Sequence, residues 1–330
     1  YPIDINRLPV AVATLTRQLA QEHGPPLRVL NHYNMGGYLE FTLAEQALFF
    51  VDGRAGMVFP TELVRENFFA FKKIGHLKQL ANDWQVDAIV AYQRERKRDL
   101  LLPMDDPEWR LVGYDRIALL YVRRDGKTAV PWPEIPYLAG SLAHSLPEET
   151  LSLALTATTE MLKQAPDNPW GWAQLGVLQA RQSRILGTHP TQAIVSLRRA
   201  WEKLRTPELL LHLLRALLST TDSRTEVAAL LQDLPKKLPE SHAPYLENLA
   251  AEIYLTLSQP LEALNRLNPE NIDRKDKLDQ TPLTWWQRSQ ARSALGEAEV
   301  ALQARERGEK LAQTGHWPPS YDDPPLKGEE

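Results

Sequence analysis

Apolar positions in the first 130 residues alternate between strand-like and helix-like spacing, whereas nearly everything after Pro147 keeps a helical period. Leu8 to Gln21 carries apolar residues at helical spacing and stops at Gly24, Pro25 and Pro26, which predicts a first helix. Arg28–Leu30, Ala47–Val51, Asp87–Tyr92, Trp109–Val112 and Arg116–Val122 are short apolar or β-branched runs bounded by polar turns, and predict strands. Gly37–Leu43 and Thr61–Trp84 predict helices between them; Thr61 can cap the second, and Glu62 and Glu66 suit its electropositive start. This alternation predicts a small three-layer α/β domain whose sheet has parallel pairing. The last two strands, joined through Gly113–Asp115, predict an antiparallel hairpin at one edge.

Pro131, Pro133 and Pro136 remove backbone donors and fix φ, so neither a helix nor a central strand continues through them. They predict a linker over 130–146, between an α/β domain at 1–129 and a helical domain at 147–315, with a Pro-rich tail at 316–330. The helical part repeats. Pro166, Trp172, Leu175, Gly176, Ala193, Leu197 and Ala200 find counterparts in Leu211, Leu214, Val227, Leu231, Leu234 and Pro239, and a five-residue excess in the first unit falls within Ser183–Pro190. Without that insertion the period is 34. Two degenerate units follow, Leu246 to Pro269 with Ala263 and Leu267, and Trp285 to Leu311 with Leu295, Gly296 and Ala301. Leu151 to Pro166, with Ala154 and Met161, has the phase of the second helix of an incomplete leading unit.

This pattern resembles the tetratricopeptide repeat family over about half of the chain. The resemblance implies stacked helical hairpins that bind a protein or peptide in an extended groove; another α-solenoid would fit the same spacing. Phase alone makes Gln179, Arg215, Trp286 and Arg292 the groove candidates. Trp285 and Trp286 differ by ~100° around a helix and cannot both be buried against one neighbour, so one is free to line the groove.

Composition narrows the function. The 330 residues carry 38 basic and 42 acidic side chains, a net charge of -4, which excludes the global basic field of a nonspecific nucleic-acid binder. Without cysteine there is no disulfide framework, and the compartment is left open. No apolar run approaches the ~20 residues of a membrane span. The chain begins at Tyr1, which reads as a processed or excised piece.

The densest polar cluster is Asn31–Tyr38 followed by Val51–Arg54, each just after a predicted strand. Ligands of open α/β sheets bind beyond the strand ends, and Gly36 and Gly37 at a helix start would offer N–H groups to an anion. Asn31, Tyr33, Asn34, Asp52 and Arg54 are therefore candidates for a sugar or anionic ligand, with catalysis as a further option. The structural alternative is that the glycines allow close packing and Asp52 pairs with Arg54. Neither phosphate-loop nor dinucleotide glycine fingerprints occur. No Asp-x-Asp pair is present to hold a metal on a sugar nucleotide, and the eight histidines never fall at i, i+2 or i, i+4. No metal and no cofactor is expected. Ser141 lacks the second glycine of a nucleophile elbow. Asp105, Asp106 and Glu108 form an acidic patch, readable as a cation or acid/base site or as a solvated turn. The basic run Arg94–Arg98 reads as a solvated segment or as a contact for anionic headgroups.

Arg28–Asn31, Tyr33–Asn34, Gly36–Leu39, Val51–Arg54, Trp109–Val112 and Val122–Arg124 also carry a second resemblance, over about residues 5–125. In this order they resemble the soluble region after the last span of polytopic membrane proteins similar to the lipid-linked-sugar glycosyltransferases, which often append tetratricopeptide-like repeats. The resemblance implies a noncatalytic extracytoplasmic module tethered to a membrane, whose parent acts in glycan or lipid-linked sugar transfer. The reaction centre of such enzymes lies in the membrane part, so no catalytic residue is carried over. A soluble cytoplasmic repeat scaffold is the competing expectation.

Overall fold

A computed structural model describes residues 8–23, 26–93, 102, 106–124, 132–135, 148–220, 223–235, 243–268 and 281–313. The tail at 316–330, most of the 130–146 linker, Arg94–Arg98, Asp105 and Ser141 lie outside these residues. The chain divides into two compact units, residues 1–178 and 179–330.

The first unit opens with α1 (Val10–His23), β1 (Leu27–Asn31), α2 (Tyr33–Leu43), β2 (Ala47–Phe49), α3 (Ala55–Val58), α4 (Thr61–Ala70), α5 (Ile74–Asp83) and β3 (Ala88–Tyr92). The hairpin β4 (Trp109–Tyr114) and β5 (Ala118–Arg123) completes its sheet. Strand order is β2-β1-β3-β5-β4, with β2, β1 and β3 parallel and β5 antiparallel to both β3 and β4. The expected hairpin is present, with β4 at the edge and a register shift between Leu111 and Gly113. The described segment Trp132–Ile135 lies along β4, where Ile135 N–H donates to the Leu111 carbonyl at 2.8 Å.

From β1 the chain crosses to β2 on one side and then back over β1 to β3 on the other. Right-handed crossovers in opposite directions put α2 and the α4–α5 pair on opposite faces of the sheet. α1 lies beside α2 and packs on β1, β4 and β5. The Asp115 carboxylate, in the β4–β5 turn, accepts from the Val12 N–H at 3.0 Å and so caps α1. Arg123 stacks over the fully buried Trp109 ring at 4.6 Å and donates to the carbonyls of Val86 and Ala81 at 2.7 and 2.9 Å, fixing the end of α5.

Two helix boundaries differ from the sequence reading. α2 begins at Tyr33, not Gly37, because the His32 imidazole Nδ1 accepts from the Asn34 N–H at 3.2 Å and caps it. Thr61–Trp84 is two helices, broken where buried Phe71 and the extended Lys73 turn the chain; the N-cap of the first is Pro60, so Thr61 is its first helical residue rather than its cap.

α6 (Glu148–Gln164) and the first part of α7 (Pro169–Leu186) belong to the first unit by contact, and the division falls within α7. Gln18 Nε2 donates to the Gln164 carbonyl at 2.8 Å, and the buried Asn168 amide to the Tyr114 carbonyl at 2.8 Å. These bonds tie the α6–α7 corner to α1 and β4.

The second unit continues with α8 (Thr191–Trp201), α9 (Pro207–Leu218), α10 (Arg224–Leu231), α11 (Ala243–Thr256), α12 (Pro260–Arg266), α13 (Pro282–Ala294) and α14 (Ala298–Gln313). α9 packs on α11 and α11 on α13, while α8 and α10 meet α9, α12 meets α11 and α13, and α14 meets α13. Alternate helices thus form one row with the others against it. Leucines fill α9 on nearly every side, and Ala251, Ala263, Leu267 and Ala291 form a fully buried cluster where α11, α12 and α13 meet. Among the described residues no helix is long and apolar enough to cross a membrane.

Candidate functional site

The carboxyl ends of β1 and β3 flank the point where chain connections leave the sheet in opposite directions, the usual ligand crevice of an open α/β sheet. Asn31 ends β1, and its fully buried side chain is consumed by backbone. Its amide donates to the Val51 carbonyl at 2.7 Å and the His32 carbonyl at 3.2 Å, while its Oδ1 accepts from the Phe50 N–H at 2.9 Å. These bonds draw the chain out of β2 after Phe49 and hold the 50–52 loop against β1. On the other side, the Asn67 amide of α4 donates to the Asn31 carbonyl at 2.9 Å.

That loop leaves no room beside α2. A Cβ on Gly36 would stand 2.0 Å from the Val51 carbonyl oxygen and 2.7 Å from the Asp52 Cα. Gly36 therefore serves close packing, and the expected anion cradle at Gly36 and Gly37 is not built: both lie inside α2, whose start is closed by His32.

Asp52 is buried and turns its carboxylate onto its own neighbour. It accepts from the Arg54 backbone N–H at 2.8 Å and from Arg54 Nε at 2.9 and 3.1 Å, with a further close contact to Arg54 Nη2. This pairing holds the Asp52 carboxyl below the usual carboxylate range, burial opposing it. Of the five candidate residues, Asp52 and Arg54 are thus brought together, Asn31 is used by backbone, Tyr33 is half-buried at the head of α2, and Asn34 faces solvent.

The crevice itself holds an aromatic stack. The His32 ring lies on Tyr92 with centroids 5.3 Å apart, and Phe71 meets its edge at 5.2 Å. The His32 N–H donates to the Val90 carbonyl at 2.9 Å, anchoring the residue across the two strands. His32, Asn67, Phe71 and Tyr92 form a group that no local pattern in the sequence singles out. Tyr92 closes a predicted strand and His32 stands two residues past another; Phe71 carries no local signal.

Asp106 builds a turn. Its Oδ1 accepts from the Glu108 and Trp109 N–H groups at 3.0 Å each, and its Oδ2 lies 3.1 Å from Lys78 Nζ. No group of three or more metal-ligating side chains occurs among the described residues.

The groove candidates all make structural contacts. Gln179 accepts from the Ser196 hydroxyl of α8 at 2.7 Å, and Arg215 of α9 pairs with Glu252 of α11 at 3.0 Å. Arg292 pairs with Glu297 across the α13–α14 turn. Trp286 and Trp285 are both half-buried: the first lies against Gly308 of α14, the second under the Arg288 guanidinium at 4.6 Å. Deeper in the row, Asn248 of α11 accepts from the Thr284 hydroxyl and, through its backbone carbonyl, from the Gln287 amide, both at 3.0 Å. Compared with family models, curated proteins and solved structures, the chain has no match.

Proposed function

We propose that the chain is a noncatalytic module whose helical unit, stacked as tetratricopeptide-like hairpins, binds a protein or peptide partner. The observation that carries this reading is the row α9, α11, α13, in which each helix packs on the next. Polar bonds at Arg215–Glu252, Asn248–Thr284 and Asn248–Gln287 tie the row together, as a scaffold for an extended recognition surface requires. The strand ends give the ligand-site alternative less support, since Asp52 and Arg54 satisfy each other and an aromatic stack fills the crevice. In the proposed setting the module is tethered outside the cytoplasm through a parent of glycan or lipid-linked sugar transfer, as the order of the α/β motifs implies.

The test is site-specific photo-crosslinking in the producing cell. Crosslinkers at Glu252 of α11 and Arg292 of α13 are expected to capture one common protein, while Val195 of α8 and Leu302 of α14 capture none. Crosslinks from the second pair alone, or none at all, would refute the reading. So would a saturable thermal shift with sugar nucleotides that Asp52→Ala abolishes.

A further inference from the structure

The first turn of α2 depends on its cap more than most helix starts do. Gly36 and Gly37 follow directly behind it, and glycine is among the poorest helix formers, so propagation into the helix does little to hold that turn. The group that caps it is titratable. His32 lies in extended backbone at φ -64° and ψ 137°, and its Nδ1 accepts from the Asn34 N–H at 3.2 Å. An imidazole accepts at Nδ1 only while it is neutral, with its proton on Nε2. Once protonated it is a donor at both nitrogens, and its charge meets the positive end of α2.

We propose that His32 is a pH-sensitive latch on the first turn of α2, closed while its imidazole is neutral and released on protonation. The groups around the ring decide which contacts survive. β3 presents the Tyr92 phenol, stacked on the ring with centroids 5.3 Å apart, and the turn after α4 presents Phe71 at its edge. Beyond Phe71, Lys72 lies over the exposed Phe68 and Phe69 rings, and Lys73 stands at the head of α5. α2 itself presents the Asn34 N–H, and on the far side of Gly36 the Asp52 carboxylate is paired with Arg54. None of these groups is an unpaired acid that would hold an imidazolium at the cap. The Tyr92 face still attracts the charged ring, but the charged ring cannot cap. Release is local, because the His32 N–H stays on the Val90 carbonyl at 2.9 Å and Gly36 stays wedged against Val51. The helix start then retreats from Tyr33 toward the glycines. The sign follows from the neutral acceptor: the cap is present above the ordinary imidazole range and lost as the pH falls through it. This device belongs to the α/β unit and does not depend on partner binding by the helical unit.

Nitrogen-15 NMR of the full chain between about pH 8 and pH 5 tests it, with the His32 ring nitrogens and the Asn34 amide followed together. At the alkaline end the ring is expected as the Nε2–H tautomer. As it protonates, the Asn34 amide signal moves on the same titration curve. Hydrogen exchange at residues 33–35, corrected for the intrinsic effect of pH, speeds up about fivefold, the order of one lost cap. His32→Asn, which caps without titrating, holds both readings constant over the range, while His32→Ala shows the fast exchange at either end. The amide signals of β1 and β3 confirm that both variants fold. An Asn34 amide that stays in place while the His32 ring titrates, or the same pH response in His32→Asn, overturns the proposal. A ring still neutral at about pH 5, well below the ordinary imidazole range, equally overturns it.

Discussion

The Asp115 carboxylate accepts a 3.0 Å hydrogen bond from the Val12 N–H, joining a hairpin turn to the start of a helix 103 residues earlier. The same carboxylate accepts from the Ile117 and Ala118 N–H groups at 2.8 and 2.9 Å. Burial outweighs these donors and pushes the carboxyl up to about 6. Between the unfolded value near pH ~4 and this folded value the native state holds more protons. The stabilisation from Asp115 is therefore complete below pH ~4 and is lost as the pH rises through the folded value. The two-unit difference corresponds to about 3 kcal/mol. Chemical denaturation from pH 4 to 7 should show Asp115→Asn lacking this dependence; identical pH slopes in both proteins would remove Asp115 from the account.

Asp52 predicts the opposite sign. Its carboxyl is held low by Arg54, so its stabilisation is present above the ordinary carboxylate range and lost on acidification. Arg54→Ala leaves a buried carboxylate with only the backbone N–H of residue 54 and without its guanidinium, and should cost about 1–3 kcal/mol. Asp52→Asn should cost less, because the remaining arginine is half-exposed and solvated. Acid-unfolding midpoints check the pair, with that of Arg54→Ala expected to move to higher pH.

Two adjacent glycines in α2 should respond in opposite directions. Gly36→Ala drives a methyl into the Val51 carbonyl and must displace the 50–52 loop, destabilising by about 3 kcal/mol or more. Gly37→Ala meets nothing within 4 Å and should stabilise by about 1 kcal/mol through helix propensity. Thermal unfolding of both variants makes each the control for the other.

In the helical unit Asn248 is the substitution to make. Asn248→Leu strands the buried Thr284 hydroxyl and should cost about 1–3 kcal/mol. Gly308→Ala places a methyl 2.9 Å from the Trp286 ring and should move that tryptophan. Its fluorescence should then shift toward the red before global stability falls; an unchanged spectrum would mean that the ring does not sit against α14.

The strands and helices were legible because they depend on spacing within a few residues: the runs at Leu27–Asn31 and Ala88–Tyr92 announce themselves locally. The pairing of Asp52 with Arg54 was legible for the same reason, two residues apart. The break between α4 and α5 was not: the one glycine nearby, Gly75, falls inside α5, and the break itself is made by Phe71 turning inward onto His32. The crevice contents were hidden likewise, because His32, Phe71 and Tyr92 are far apart in sequence and meet only through the crossover that puts β3 beside β1. The placement of α6 with the α/β unit depends on Gln18 and Asn168, polar residues whose long-range partners no periodicity reveals.

The two margins of the sheet bear on how the protein behaves when crowded. β2 offers only three residues, and the bulged β4 has Trp132–Ile135 laid along it, with Ile135 already bonded to Leu111. A strand from another molecule would find too short a template on one side and an occupied one on the other. The sheet is thereby guarded against runaway growth into fibrils, a safeguard of particular use to a protein that also carries bare phenylalanines on its surface.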